Sequence, residues 1–480
     1  MFVYIPVLML GVSLLTTGCT LAPPYTRPEA PVPGAWPKGE AYRETPVSPE
    51  SPAASGTPWQ EFFADEGLRQ AIATALKNNR DLRLAALNVE RARALYGIQR
   101  GELFPVLEAT GGGSQQRIPG DLSSTGQART TEQYNVNLGL SSWEIDFFGR
   151  IRSLRDRALE EFLATEEARR SAEILLVSTV AGAYLTLAAD RENLTLSRST
   201  WEAQEKAYEL VKRRQEVGLA SAVDLYRARI PVDTARGDVA RFTQLVAQDE
   251  NALNVLLGTS LSVLEAGKPA DLNEVRPPRE ISAGLSSEVL LRRPDILSGE
   301  HRLKAAYANI GAARAAFFPR ITLTTSIGTA SSELSGLFGA GQDTWFFNPQ
   351  VKMPIFDARL WSALEATKVQ REIAVTEYEK AIQTAFREVA DTLAIRGTVD
   401  RQLAAQQSLV EANAETYRLA QARYNKGLDS FLSVLDAQRS LYGAQQGLVG
   451  LRLAKIANQV RLYAVLGGGS EPDKSRLPAE

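Results

Sequence analysis

One segment of the chain occurs twice, and that repeat limits the possible folds more than any other feature. Gly427-Leu428-Asp429-Ser430 is matched by Gly218-Leu219-Ala220-Ser221, an offset of 209 residues that holds without a gap from Tyr208/Tyr417 to Leu257-Gly258/Leu466-Gly467. Each copy has a helical period, a single glycine and a second helical period. Each therefore reads as an antiparallel helical hairpin with the glycine at its turn. After the second glycine, Leu428, Leu435, Tyr442, Val449, Ile456 and Tyr463 recur every seven residues, the spacing of a coiled-coil seam. Spacing alone leaves a buried helix pair in a globular bundle as the alternative.

The repeat extends beyond the hairpins. Phe104-Pro105 closes a helix that begins near Asp81, and Phe318-Pro319, 214 residues later, closes one opened by Arg293-Pro294-Asp295-Ile296. After each closure the period changes to two. Tyr134, Val136, Leu138 and Leu140 alternate with Asn135, Asn137, Gly139 and Ser141; Trp345, Phe347, Pro349 and Val351 alternate with Asn348 and Gln350. Strands are expected at about 106–116 and 133–142, and again at about 320–329 and 344–355. Proline-free helical stretches follow, about 150–216 and 357–426. Each is about 100 Å long at ~1.5 Å per residue. The helix before each strand pair and the helix after each glycine together nearly match that length. Two shorter helices are thus expected end to end beside each long one, with strands at one extremity and the glycine tip at the other. Repeat 1 then spans 59–258, repeat 2 spans 293–467, and an irregular connector, 259–292, joins them. Residues 468–480 read as a disordered tail.

The N-terminus has a different composition. Residues 1–18 are apolar from Phe2 to Leu15 and end in Thr16-Thr17-Gly18 before Cys19. Such a run is a signal-peptide core, too short for a membrane span. It resembles a lipoprotein signal in which Cys19 is acylated; the alternative is an ordinary cleaved signal followed by a lone cysteine. Residues 19–58 are proline-rich and must be extended.

Composition removes several function classes. One cysteine and one histidine exclude intrachain disulfides, multi-Cys or multi-His metal sites and most nucleophile–base pairs. His301 reads as structural. The 54 basic and 56 acidic residues are dispersed, so no block suggests nucleic acid. Gly111-Gly112-Gly113-Ser114 lacks the Gly-Lys-Ser/Thr of a phosphate loop. No enzyme, cofactor or metal is expected.

Strands of about ten alternating residues have the length that crosses an outer membrane. Four of them alone would leave unpaired edges, which lipid does not tolerate. Closure requires other chains. Eight strands from two copies would have a filled interior, whereas twelve from three would leave a lumen. A soluble sheet packed on helices is the alternative, but it does not explain one polar and one apolar face on each strand pair.

Taken together, the motifs resemble the TolC-like outer membrane factors, in particular the lipoprotein branch (NodT/OprM-type) serving tripartite efflux pumps. They are Cys19-Thr-Leu-Ala-Pro-Pro-Tyr25, Trp143-Glu-Ile-Asp-Phe-Phe-Gly-Arg150, Leu291-Arg-Arg-Pro-Asp-Ile296, Ala313-Arg-Ala-Ala-Phe-Phe-Pro319, Phe356-Asp357 and Gly427-Leu-Asp-Ser430 with Leu435-Asp-Ala-Gln-Arg439. The resemblance implies a mostly α fold with membrane β: duplicated long α-helical hairpins plus four strands per chain. Three chains would form a homotrimer with a twelve-stranded β-barrel continuing into a periplasmic α-barrel. It further implies a lipid-anchored location in the outer membrane, a periplasmic adaptor at the hairpin tips (Gly218, Leu219, Ser221, Gly427, Leu428, Ser430), and an inner-membrane pump of the RND type. An entrance gate is implied at Leu432 and Asp436, with Tyr424 reaching Asp224 as a latch. Leu432 and Asp436 are four residues apart, hence on one helix face; packing of Leu432 in the hairpin and simple solvation of Asp436 are the alternative. Type I protein secretion shares the fold, and a non-conducting periplasmic coiled-coil lipoprotein is a further class.

Overall fold

A computed structural model describes residues 20–42, 54, 56–263, 271–282 and 286–469. Its elements run α1 (Trp59–Phe62), α2 (Glu66–Asn78), α3 (Arg80–Gly101), β1 (Leu107–Ile118), β2 (Arg129–Glu144), α4 (Arg150–Glu216) and α5 (Ala222–Leu257). The second half follows with α6 (Pro294–Ala315), β3 (Arg320–Ser331), β4 (Asp343–Lys352), α7 (Ala358–Asn425) and α8 (Phe431–Val465). Cys19, the segment before it and residues 470–480 lie outside the described residues. The chain divides into two compact units, and α3, α4, α6 and α7 contribute residues to both.

The first unit holds the sheet, two antiparallel hairpins side by side in the order β1-β2-β3-β4. Register decides the chemistry of its faces, because alternate residues point to opposite sides. Ala109, Leu138, Ile327 and Trp345 lie in one cross-strand row, and Leu107, Leu140, Thr325 and Phe347 in another on the same face. The opposite face carries Thr110, Asn137, Gly328 and Thr344, with Thr324 beside Asn348 and Thr322 beside Gln350. The apolar face is uncovered: Trp345 is 79% exposed, and Ile327, Phe347 and Val351 are exposed too. Among the described residues β1 and β4 pair on one side only, so both are open edges.

The turn from β2 into α4 explains the Trp143–Arg150 motif. Glu144 binds Arg150 through two hydrogen bonds of 2.9 and 2.8 Å and also takes Arg320. Asp146 accepts the backbone N–H of Arg152 at 2.9 Å, satisfying a donor at the helix start that has no intrahelical partner. The N-terminal stretch is fastened in the same unit. Buried Glu300 of α6 accepts from Tyr25 at 3.2 Å and Arg27 at 2.5 Å, and pairs with Lys304 at 3.1 Å. Burial alone would push this carboxyl up, but Arg27 and Lys304 hold it below the usual carboxylate range.

The second unit has an aromatic cluster in its core. Phe62 stacks on Tyr463 with ring centroids 4.1 Å apart, Phe63 meets both edgewise, and the Tyr463 hydroxyl donates to the Thr57 carbonyl at 2.8 Å. Leu68, Ile72, Leu185, Leu253, Leu257 and Leu290 are buried in this unit. Burying each such side chain contributes about 1.5–3 kcal/mol. The heptad residues of α8 change in exposure along the helix: Leu428, just before it, is exposed, Leu435 and Tyr442 are half-buried, and Val449 and Tyr463 are buried.

Equivalent helix junctions occur in the two repeats. Asn79 caps α3 by accepting the Leu82 N–H at 2.9 Å, and its side-chain amide donates to the Leu256 carbonyl at the end of α5 at 2.9 Å. In the second repeat Arg293, just before α6, donates to the Val465 carbonyl at the end of α8 at 2.7 Å. Each junction thus satisfies a C-terminal carbonyl that its own helix cannot.

Candidate functional site

Both tips are built from the same local chemistry. Gly218 and Gly427 have φ of 78° and 72°, the left-handed region that glycine enters without a Cβ penalty. The N–H of Leu219 donates to Arg214 O at 2.7 Å and that of Gly218 to Gln215 O at 3.0 Å. The N–H of Leu428 donates to Arg423 O at 3.0 Å and that of Gly427 to Tyr424 O at 2.9 Å. These paired bonds are the Schellman closure, and they turn Leu219 and Leu428 outward. The two leucines are 78% and 66% exposed.

After the turn the two tips differ. Ser221 and Asp224 form a reciprocal capping box: the Asp224 N–H donates to Ser221 Oγ, and the Ser221 N–H to Asp224 Oδ2, each at 3.1 Å. Hydrogen bonds from the Ser221 hydroxyl, then from its backbone N–H, hold the Asp224 carboxyl below the usual range. In the second tip the position matching Asp224 is Ser433, which has no carboxylate to return the bond. Ser430 makes no side-chain cap. Asp429 takes over, accepting from the Ser430 N–H at 2.8 Å and the Ser433 hydroxyl at 3.0 Å.

The implied latch joins neighbouring hairpins; within this single chain Tyr424 and Asp224 each have other partners. Tyr424 takes its hydrogen bond from Arg214 Nη1 at 2.8 Å, and the same guanidinium lies over its ring, 5.2 Å from the centroid. Asp224 is occupied in the capping box instead. Tyr424 also packs on Phe431 at 5.1 Å, beside a small buried cluster of Ala420, Val434 and Ala437. Leu432 and Asp436 do share a face of α8 and both are exposed. Asp436 pairs with Arg439 at 3.1 Å on the same helix, so its charge is partly balanced. Exposed pairs of this kind contribute about 0–1 kcal/mol.

The sequence motifs contain Asp429 and Arg439 without a role for either, and Arg214 lies outside them. The repeat held a signal for Arg214: it and Arg423 are mates at the same offset of 209 as the tips. Each supplies the carbonyl that closes its turn. His301 bonds Glu160 at 2.6 Å within the first unit.

A sheet with an uncovered apolar face, a polar opposite face and two open edges, on a chain with two long helical hairpins, defines a class: a channel protein of the outer membrane whose barrel is closed by further copies. The outer membrane efflux protein family model matches residues 71–259 and 285–468. The chain is 51% identical over 453 residues, 94% of its length and 93% of the relative's, to the probable efflux pump outer membrane protein TtgC of Pseudomonas putida. It is 40% identical over 468 residues, 97% of its length and 96% of the relative's, to outer membrane protein OprJ of Pseudomonas aeruginosa. The open-state crystal structure of the Neisseria gonorrhoeae MtrE outer membrane channel superposes with a TM-score of 0.83 at 36% identity, covering 94% of this chain and 98% of that one. The protein belongs to the outer membrane efflux protein family. It is a homotrimeric efflux channel of the outer membrane, three four-stranded sheets making one barrel.

Proposed function

We propose that the protein is the exit duct of a pump for small toxic organic molecules, engaging its adaptor through the two leucine tips. Relatives at 51% identity are named as a toluene efflux and an antibiotic efflux pump outer membrane protein, which supports aromatic solvents and antibiotics as the cargo. The duct performs no catalytic step of its own; Leu432 and Asp436, with the Arg214–Tyr424 contact beside them, form its entrance.

The observation that carries the docking role is the pair of exposed leucines held outward by identical turns. An apolar side chain at a distal turn has no core of its own to enter, so it fits a partner surface. Gly218, Gly427, Ser221 and Ser430 shape the turns that present them. Leu219→Asp combined with Leu428→Asp should abolish drug export while trimers still reach the membrane. Unchanged drug tolerance in cells with normal trimer levels would reject the docking role.

Acylation of Cys19 is the anchoring counterpart. Thr20, the next residue, meets Ser153 near the start of α4 at 3.3 Å, and the Leu21 carbonyl accepts from Arg314 near the end of α6 at 3.1 Å. Those helix ends adjoin β2 and β3 in the chain, which supports a lipid attached at the membrane surface. Mass spectrometry of the mature N-terminus should find a diacylglyceryl cysteine; an unmodified N-terminus starting elsewhere rules it out.

A further inference from the structure

A cleft of about 200 Å³ lies in the second unit, bordered by α4, α5 and α8. Ile230, Pro231 and Ala235 of α5 and Leu432 and Leu435 of α8 form its apolar wall. Gln204 of α4 also lines it. That side chain is only 4% exposed, and its Oε1 has no hydrogen-bond partner. A buried amide oxygen without a donor costs on the order of 1–3 kcal/mol, and a site that keeps one is suited to a guest that brings a donor. Pro231 adds to the local deficit, since it has no N–H for the Arg227 carbonyl one turn earlier. Arg227 also lines the cleft, and an arginine side chain favours an aromatic face over an aliphatic one.

Volume sets the size of the guest. A dry cavity of roughly 150 Å³ accepts benzene, and drug-sized ligands need about 300–1,000 Å³. We infer that this cleft is a binding site for a small neutral aromatic molecule with one hydrogen-bond donor, of the size of phenol, whose hydroxyl donates to Gln204 Oε1 while its ring rests on Ile230, Pro231 and Leu435. Every wall belongs to one unit of a single chain, and although Leu432 borders both this cleft and the proposed entrance, Gln204 and Thr234 belong to neither the tips nor the entrance.

Fluorine NMR of the full-length trimer in lipid nanodiscs, titrated with 4-fluorophenol against empty discs, tests it. The wild type should show saturable binding at low-millimolar ligand, with fluorobenzene weaker and 4-fluorobenzoate weaker still. Gln204→Leu should weaken 4-fluorophenol about tenfold and leave fluorobenzene unchanged. Thr234→Trp should reduce binding of both at least tenfold: Thr234 lies exposed on the cleft, and its hydroxyl bonds only within α5, so the helix tolerates the change. The proposal is overturned if the wild-type protein gives no saturable binding beyond empty discs, which leaves water as the partner of Gln204. It is equally overturned if Thr234→Trp binds as the wild type does, or if Gln204→Leu weakens both ligands alike.

Discussion

Asp249 of α5 and Asp190 of α4 set two carboxyls against each other. Burial, reinforced by the neighbouring Asp190 charge, pushes Asp249 up to about 6. Burial also raises Asp190, against the opposing effects of the Asp249 hydrogen bond, Arg241 and Asn193. An acid raised in the folded state binds its proton more tightly there than in the unfolded chain. The stability it contributes is therefore present at low pH and lost as pH rises through about 6. Heat-induced dissociation of the trimer should have a higher midpoint at about pH 5 than at about pH 7. Asp249→Asn should reduce that difference and raise the midpoint at neutral pH. An equal pH dependence in the wild type and the variant would show that the pair does not titrate in this range.

At the scale of elements, the two repeats make the same helix junction from unlike residues. Asn79 is neutral, and its loss removes a cap and one bond to Leu256, about 1–2 kcal/mol. Arg293 is a buried cation that also bonds Asp295 at 2.7 Å and pairs with Glu388 at 3.1 Å. Burial alone would lower its proton affinity, but the two carboxylates raise it above the usual arginine value. Arg293→Met leaves both carboxylates without their cation, at a cost of about 2–4 kcal/mol once their partial exposure is allowed for. Its thermal dissociation midpoint should fall further than that of Asn79→Ala; the reverse order would mean that the ion pairs are dispensable. The repeat placed Asn79 and Arg293 before equivalent helices, yet nothing in the spacing announced that either reaches back to a helix end. That contact joins residues 177 and 172 positions apart, and helical period carries no information over such a distance.

For the whole molecule, threefold symmetry repeats every site three times, so the proposed entrance would carry three Asp436 carboxylates. Their mutual repulsion is lessened by Arg439, which shares the face. Asp436→Asn should lower cation preference in planar-bilayer recordings, and Arg439→Gln should raise it, both read as reversal potentials across a salt gradient. If neither variant moves the reversal potential, Asp436 does not border the conducting path. Helix lengths, the tip glycines, the four strands and their two-faced alternation follow from the sequence by itself, because each rests on residues close in the chain: a period, a proline, a glycine with positive φ. The need for further copies followed as well, from unpaired strand edges and an apolar face. Only the tertiary structure decided that Tyr424 meets Arg214 while Asp224 caps its own helix, and that Gln204 is left without a donor in an apolar cleft. Those outcomes depend on the rotation of one long helix against another, a phase that arises from packing along the whole bundle and is absent from any local pattern.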